Sequence, residues 1–135
     1  MRLTTAMLAD AAQVQGGKLF VLGGGFDTIS ARTVPVVHRS LTLAMVAEVD
    51  PEERHRDLEI TIELVDEDGH PLEVQAHGKL RVGAPPNLPP GAQSVVPIVS
   101  PFYNLQFPEA KGYAFVVGFE EQELARVRFR IVQVP

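Results

Sequence analysis

Alternation of apolar and polar residues with a period of two is the feature that most constrains the fold of this chain. It runs through residues 58–64, 72–82 and 125–131, where small or apolar side chains alternate with charged or polar ones. Strict alternation places one face of a strand against a core and the other in water, as in an antiparallel sheet covered on one side. The sequence therefore predicts a β protein, with strands in these three segments.

Turn residues divide the rest of the chain into further short strands. Gly16-Gly17 and Asp68-Gly69 predict tight hairpin turns, residues 120–123 predict the last hairpin turn, and no window shows helical periodicity. About eight strands separated by regular turns indicate a sandwich or barrel. The additional strands are expected at residues 2–9, 18–22, 26–29, 41–49, 95–99, 102–107 and 113–119.

Length and charge narrow the class of protein further. The 135 residues are enough for one domain, which we expect to span residues 1–135. A net charge of −5 argues against nucleic acid or an anionic membrane as a partner. The apolar run at residues 2–9 is interrupted by Thr4 and Thr5, unlike that of a signal peptide, and no segment is long enough to span a bilayer. The expected location is the cytoplasm.

Two stretches rich in Gly or Pro have structural interpretations. Gly23-Gly24-Gly25 follows an apolar run, as a phosphate-binding loop would, but the next residues indicate a strand and not the helix that such a loop requires. We expect a sharp bend there that carries the chain from one sheet to the other. The Pro-rich residues 83–91 predict a stiff crossover between sheets, and Pro97 and Pro101 predict edge strands.

No motif in the sequence defines a catalytic or cofactor site, and no cofactor is predicted. The chain has no cysteine, which excludes disulfides and thiolate metal ligands. Two alternatives remain open. Loop acids at Asp27, Asp50 and residues 66–68 could bind calcium at one end of a sandwich. A composite enzyme site would need a histidine such as His38 beside a carboxylate.

Several strands are apolar on both faces, which one sandwich core cannot cover. Residues 41–49 carry outward apolar residues, and residues 95–99 have no polar side. Such strands need a second cover, and we expect self-association. The candidate interaction surface includes the run Leu19, Phe20, Val21 and Leu22, together with Leu88 in the Pro-rich stretch.

Arg126, Arg128 and Arg130 form a stripe of cations on the polar face of the last strand. Such a stripe could bind an acidic or phosphate-rich partner. The alternative is a solvated face on which the arginines pair across strands with acids such as Glu59, Glu63 and Glu73. With a net charge of −5, the sequence favours the solvated, paired face.

The opening residues 8–14 and 17–26, with Phe26 after the glycines, resemble a family of small bacterial proteins of unknown function, and the similarity extends to residues 86–91. Residues 112–117 and 127–131 are similar to the last hairpin of immunoglobulin-like sandwiches. That resemblance implies an antiparallel, Greek-key sandwich of seven to nine strands, in which Tyr113 forms a corner hydrogen bond. The expected role is a non-enzymatic binding or assembly module that forms homo-oligomers.

Overall fold

The computed structural model describes residues 1–83 and 87–135 and consists almost entirely of β-strands and their turns. A short 3-10 turn, Pro51–Glu53, precedes the fifth strand. The nine strands are β1 (Arg2–Gln15), β2 (Lys18–Gly24), β3 (Thr28–Ala31), β4 (Val36–Val49), β5 (Leu58–Asp66), β6 (Pro71–Leu80), β7 (Ser94–Phe107), β8 (Gly112–Phe119) and β9 (Gln122–Gln133).

The strands form two sheets that pack as a β-sandwich, as the alternating pattern predicts. Sheet A has the order β2-β1-β4-β7 and sheet B the order β3-β9-β8-β5-β6. The chain changes sheet five times, at β2–β3, β3–β4, β4–β5, β6–β7 and β7–β8. The remaining three links are hairpins, at the three positions where turn residues predict them.

The sheets are antiparallel, as predicted, except at one pair of strands. β3 runs parallel to β9, with Thr28 opposite Arg130 and Ala31 opposite Gln133. No hairpin joins β3 to β9, since the chain enters β3 from sheet A through Gly25. Gly25 has a φ of 84°, and its N–H donates to the carbonyl of Leu8 at 2.9 Å. The glycines therefore form the predicted bend between sheets.

Strand lengths differ from the predictions where polar residues or prolines lie within a strand. β1 continues past residue 9 to Gln15, and β4 begins five residues before the predicted start at Leu41. The two segments predicted at 95–99 and 102–107 form the single strand β7. Pro97 and Pro101 do not interrupt β7 because it is an edge strand, where a missing N–H need not remove a ladder bond.

The core between the sheets is built from inward residues of every long strand. Its centre is an aromatic cluster in which Phe107 lies 4.9 Å from Tyr113 and 5.7 Å from Phe129, ring centroid to ring centroid. The hydroxyl of Tyr113 donates to the carbonyl of Glu109 at 2.7 Å, which is the corner hydrogen bond predicted for this residue. Burial raises the pKa of Tyr113, so the hydroxyl keeps the proton that it donates.

Candidate functional site

The hairpin of β1 and β2 continues beyond the last pairing of β1 with β4. Pairing between β1 and β4 ends where Ala9 lies opposite Thr42. Pairing between β1 and β2 continues from Ala9 and Gly24 to Gln15 and Lys18. Residues 10–23 therefore pair only with one another among the strands of the described chain, and we call them the arm.

The arm exposes an unusual amount of apolar surface. Phe20 is 50% exposed, Val21 37% and Leu22 72%, while Leu19 is half-buried. Val14, on the opposite strand of the arm, is 41% exposed and lies across from Leu19. Four of the eight large hydrophobic side chains that are exposed in the described residues thus belong to the arm. Phe20 and Leu22 lie on one face of the arm and Leu19 and Val21 on the other, because successive residues of a strand alternate in direction. Exposed apolar residues clustered in this way mark an interaction site more often than scattered ones do.

Three glycines in left-handed conformations shape the arm. Gly16 and Gly17 have φ values of 55° and 71°, which a two-residue hairpin turn requires and which L residues other than glycine rarely adopt. Gly23, with a φ of 62°, lies directly against the side chain of Asp10. A β-carbon at Gly23 would collide with that carboxylate. The local sequence therefore fixes both the turn at the tip and the base of the arm.

The four edge strands of the sandwich differ in how they resist pairing with another chain. β7 carries Pro97 and Pro101, β3 is only four residues long, and β6 carries two charged residues, Glu73 and Lys79. β2 carries one charged residue, Lys18, and no proline. Prolines, charges and short strands are the usual protections of a sheet edge. β2 combines exposed apolar side chains with an edge that carries a single charge, has no proline and is seven residues long.

The structure separates the arm from the other predicted interaction residues. Leu88 is 42% exposed and lies in the crossover that enters sheet A at Ser94, opposite Val49 and away from the arm. The neighbouring residues 84–86 of the Pro-rich stretch lie outside the described residues. Val14 was missed by the sequence interpretation, although the two-residue glycine turn places it across from Leu19 and could have revealed it.

The three arginines of the predicted stripe lie on the outer face of sheet B, so they do not share a surface with the arm. Their expected pairing with Glu59, Glu63 and Glu73 was wrong, because β8 lies between β9 and the strands that carry those acids. The neighbours of Arg126, Arg128 and Arg130 on β8 are Val116, Ala114 and Gly112. These small or apolar side chains leave a groove of about 400 Å³, the arginine groove, which is lined by the three arginines, Asp27, Asp66 and Glu67.

The ion pairs of the arginine groove are made at its two ends. At one end Arg126 donates to Glu123 at 2.8 Å, and this hydrogen bond lowers the pKa of Glu123 and raises that of Arg126. At the other end Arg130 lies 3.5 Å from Glu67. Arg128, in the middle, is exposed, and no carboxylate of residues 1–83 or 87–135 lies within 4.0 Å of its guanidinium.

Asp66 closes the β5–β6 hairpin and anchors the loop before β8. One of its carboxylate oxygens accepts the N–H groups of Asp68 and His70, at 3.0 and 2.9 Å, and the other accepts a hydrogen bond from Lys111 at 3.0 Å. Burial by itself would raise the pKa of Asp66, but these hydrogen bonds and the Lys111 charge lower it to about 2. Bonds to Glu109 and Asp66 raise the pKa of Lys111.

Of the loop acids considered for calcium binding, Asp27, Asp66 and Glu67 line the arginine groove, and Asp50 lies apart from them. Asp50 precedes β5 and Asp66 ends it, so the two carboxylates lie at opposite ends of that strand. Asp66, Asp68 and His70 have ligand atoms within 4.8 Å of one another. Both oxygens of Asp66 already accept hydrogen bonds, one from within the hairpin and one from Lys111. The cluster is therefore explained by the role of Asp66 in holding the hairpin together.

The four histidines lie on separate elements. His38 is in β4, His77 in β6, His55 in the loop after the 3-10 turn, and His70 in the β5–β6 hairpin. In the described part of the chain, only His70 lies within ion-pair distance of a carboxylate, 3.5 Å from Asp66, and its side chain is 78% exposed. An enzyme site at His38 would need a carboxylate beside it. In the described residues His38 forms no ion pair with a carboxylate.

Replacing Asp66 by Asn is expected to destabilise the fold at pH 7 and to have a smaller effect in acid. Because the pKa of Asp66 falls from 3.8 when unfolded to about 2 when folded, the ionised carboxylate contributes stability above pH 4 that is lost as the pH falls toward 2. Urea unfolding of both proteins at pH 7 and pH 2.5 measures the difference. Asp68→Asn, in the same turn, is the control and should change stability little at either pH. If D66N lowers the free energy of unfolding equally at the two pH values, the stabilising effect does not come from the ionised carboxylate of Asp66.

Over the described residues the chain is a two-sheet β-sandwich of nine strands, with an exposed apolar hairpin on one sheet and an arginine-lined groove on the other. Residues 4–132 match the model of a family of unknown function, DUF6941. The chain therefore belongs to that family, as its resemblance to an uncharacterised family predicted. No curated protein matches the chain. No helix among residues 1–83 and 87–135 has the length and hydropathy to cross a membrane.

Proposed function

We propose that this protein is a non-enzymatic assembly module that pairs with a second copy of itself through the free edge of β2. The observation that supports this function is the arm, which pairs with no further strand of the described residues and leaves Phe20, Val21 and Leu22 exposed. A two-stranded hairpin is marginally stable in water unless a third strand or another surface covers it. Addition of a strand to β2 would supply that cover.

The charge of the arm favours a second copy as the occupant. Asp10 and Lys18 are its only charged residues, so the arm is neutral although the whole chain carries −5. Two copies of an acidic protein repel each other at most of their surfaces, and a neutral apolar edge is where they can approach. Antiparallel pairing of β2 with its symmetry mate across a twofold axis would join two four-stranded sheets into one.

We further propose that the sandwich is of the immunoglobulin-like Greek-key type and that the protein is bacterial and acts in the cytoplasm. The hydrogen bond of Tyr113 to Glu109 and the repeated changes of sheet support the fold assignment. The similarity of residues 8–14 and 17–26 to small bacterial proteins supports the origin. A composition without cysteine, which needs no oxidising compartment, supports the location.

Sedimentation velocity of the unmodified protein over a wide concentration range tests the assembly. We expect a species of twice the chain mass that dissociates on dilution. Amide exchange measured at the two extremes of concentration should show slower exchange in β2 when the dimer is populated, because N–H groups on its free edge become hydrogen-bonded. A monomer at every concentration, or a dimer in which β2 exchanges as fast as in the monomer, would overturn the proposal.

A further inference from the structure

Besides the edge of β2, a second free strand edge is found on β9. β9 belongs to sheet B, whereas the arm belongs to sheet A. β8 pairs with β9 along residues 122–130, whereas β3 pairs only with residues 130–133 on the other side. Within the described ranges, residues 122–129 therefore have a hydrogen-bonded strand on one side only. β1 of sheet A lies close to β9 without pairing with it. This edge borders the arginine groove, which ends at Asp27 and Thr28 where β3 begins.

The directions of the backbone groups show which residues face this edge. The N–H of Ile131 points toward β8, where it donates to Lys111 at 3.0 Å. The N–H of Arg130 points the opposite way and donates to the carbonyl of Asp27 at 2.8 Å. Because these directions alternate along a strand, the backbone groups of Arg126 and Arg128 also point to the free edge. Each of the two residues thus presents a backbone donor and acceptor there, with a guanidinium on the adjoining face.

The charges along the groove restrict what this edge can bind. Asp27 and Glu67 lie at the Arg130 end, where another carboxylate would be repelled. Arg128 has no ion-pair partner among the described residues, and Arg126 is bonded to Glu123. Arg126 uses Nε and Nη2 for Glu123, and its Nη1 has no hydrogen-bond partner in the described part of the chain. A ligand would therefore place its negative charge beside Arg128 and beside Nη1 of Arg126, two residues apart on the same face. Alternate residues of an extended strand have this same spacing.

We propose that the free edge of β9 binds an extended acidic segment of another protein, which adds to sheet B as a strand. The backbone of the segment bonds to Arg126 and Arg128, and acidic side chains at alternate positions pair with their guanidinium groups. Backbone pairing supplies affinity in such strand addition, and the side chains facing the groove supply specificity. A guanidinium pairs with a carboxylate through two parallel hydrogen bonds, which fixes the register. This site lies on the other sheet from the arm, so it does not depend on self-association.

The probe is a capped, fluorescein-labelled peptide of sequence Thr-Glu-Val-Glu-Val-Thr, and its partner probe carries Gln at both Glu positions. Fluorescence anisotropy is measured at low salt, because exposed charges are screened at higher ionic strength. We expect the acidic peptide to bind and the Gln peptide to bind at least about tenfold more weakly, since charged hydrogen bonds are replaced by neutral ones. Equal binding of the two peptides, or no binding of either, would overturn the proposal.

Three variants separate strand addition from general attraction to positive charge. Arg128→Gln should weaken binding about tenfold by removing the guanidinium. Arg128→Pro should weaken it further, because it also removes an N–H that faces the free edge without breaking a bond to β8. Lys79→Gln removes the same charge from the same outer face, on β6, and should leave affinity within about twofold. An equal loss in K79Q, or no loss in R128Q, would contradict a site at β9.

Amide exchange of the complex provides a second measurement, because electrostatic attraction alone would not slow the exchange of backbone N–H groups. The N–H groups of Arg126 and Arg128 should exchange more slowly with peptide bound, whereas those of residues in β6 should not change. The same binding is expected in a variant of the arm that is monomeric, which distinguishes failure of this site from failure of self-association. Unchanged exchange at both arginines in the presence of saturating peptide would rule out an added strand.

Discussion

Replacing Phe107 by Ala is expected to lower the free energy of unfolding by about 3–5 kcal/mol. Phe107 is fully buried at the end of β7, and its ring contacts the rings of Tyr113 on β8 and Phe129 on β9. It therefore joins the edge strand of sheet A to the centre of sheet B. Removing the ring leaves a cavity between two sheets whose backbones are held by their own ladders and cannot close over it. Thermal unfolding should show a midpoint lower by roughly 10–20 °C.

Phe20→Ala is the matched control for this prediction, because it makes the same substitution on a half-exposed ring. Phe20 lies on the arm and is 50% exposed. Its loss should change the unfolding midpoint of the dilute, monomeric protein by no more than a few degrees. If F107A and F20A have similar effects under these conditions, the aromatic cluster is not the centre of the core.

The strands could be predicted from the sequence where one face is polar and the other apolar. The β5–β6 hairpin has this pattern, and its turn and inward residues follow from local sequence, while its strand ends lie within two residues of the predicted ones. The extension of β1 into the arm could not be predicted in the same way. Residues 10–15 continue the strand because β2 pairs with them, and the polar residues among them are compatible with strand or loop.

The local sequence pattern did not determine which strands pair with one another when they are distant in sequence. The parallel pair of β3 and β9 joins residues about one hundred positions apart, at Thr28 and Arg130. The same limit explains the error over the arginine stripe. Outward positions of β9 were predicted correctly, but their neighbours depend on which strand lies next to them. That strand is β8, with Ala114 opposite Arg128.

The two candidate surfaces, the arm and the free edge of β9, also differ in how directly the sequence predicts them. The apolar run of residues 19–22 indicates an uncovered strand directly, because a sandwich buries only one face. The free edge of β9 depends on the shortness of β3, on the end of its pairing at Arg130, and on the direction of individual N–H groups. None of these is a property of composition or periodicity.

Replacing Leu22 by Lys is expected to raise the dissociation constant of the dimer by about 100-fold or more. Leu22 is 72% exposed on β2, the edge through which we propose that two copies pair. Burying a Leu side chain contributes roughly 1.5–3 kcal/mol, and a twofold interface loses this contribution in both copies. Two lysines at a symmetric edge would in addition repel each other. Sedimentation equilibrium of wild type and L22K at the same concentrations measures the change.

Val95→Lys makes a comparable change on the opposite edge of the same sheet. Val95 is 67% exposed on β7, two residues before Pro97, where strand addition is already hindered. V95K should therefore remain as dimeric as the wild type, and both variants should unfold at the wild-type midpoint when dilute, because both side chains are exposed. Equal dissociation by V95K would indicate a general effect of charge, and a fully dimeric L22K would place the interface elsewhere. Only loss of the dimer in L22K alone assigns the contact to the arm.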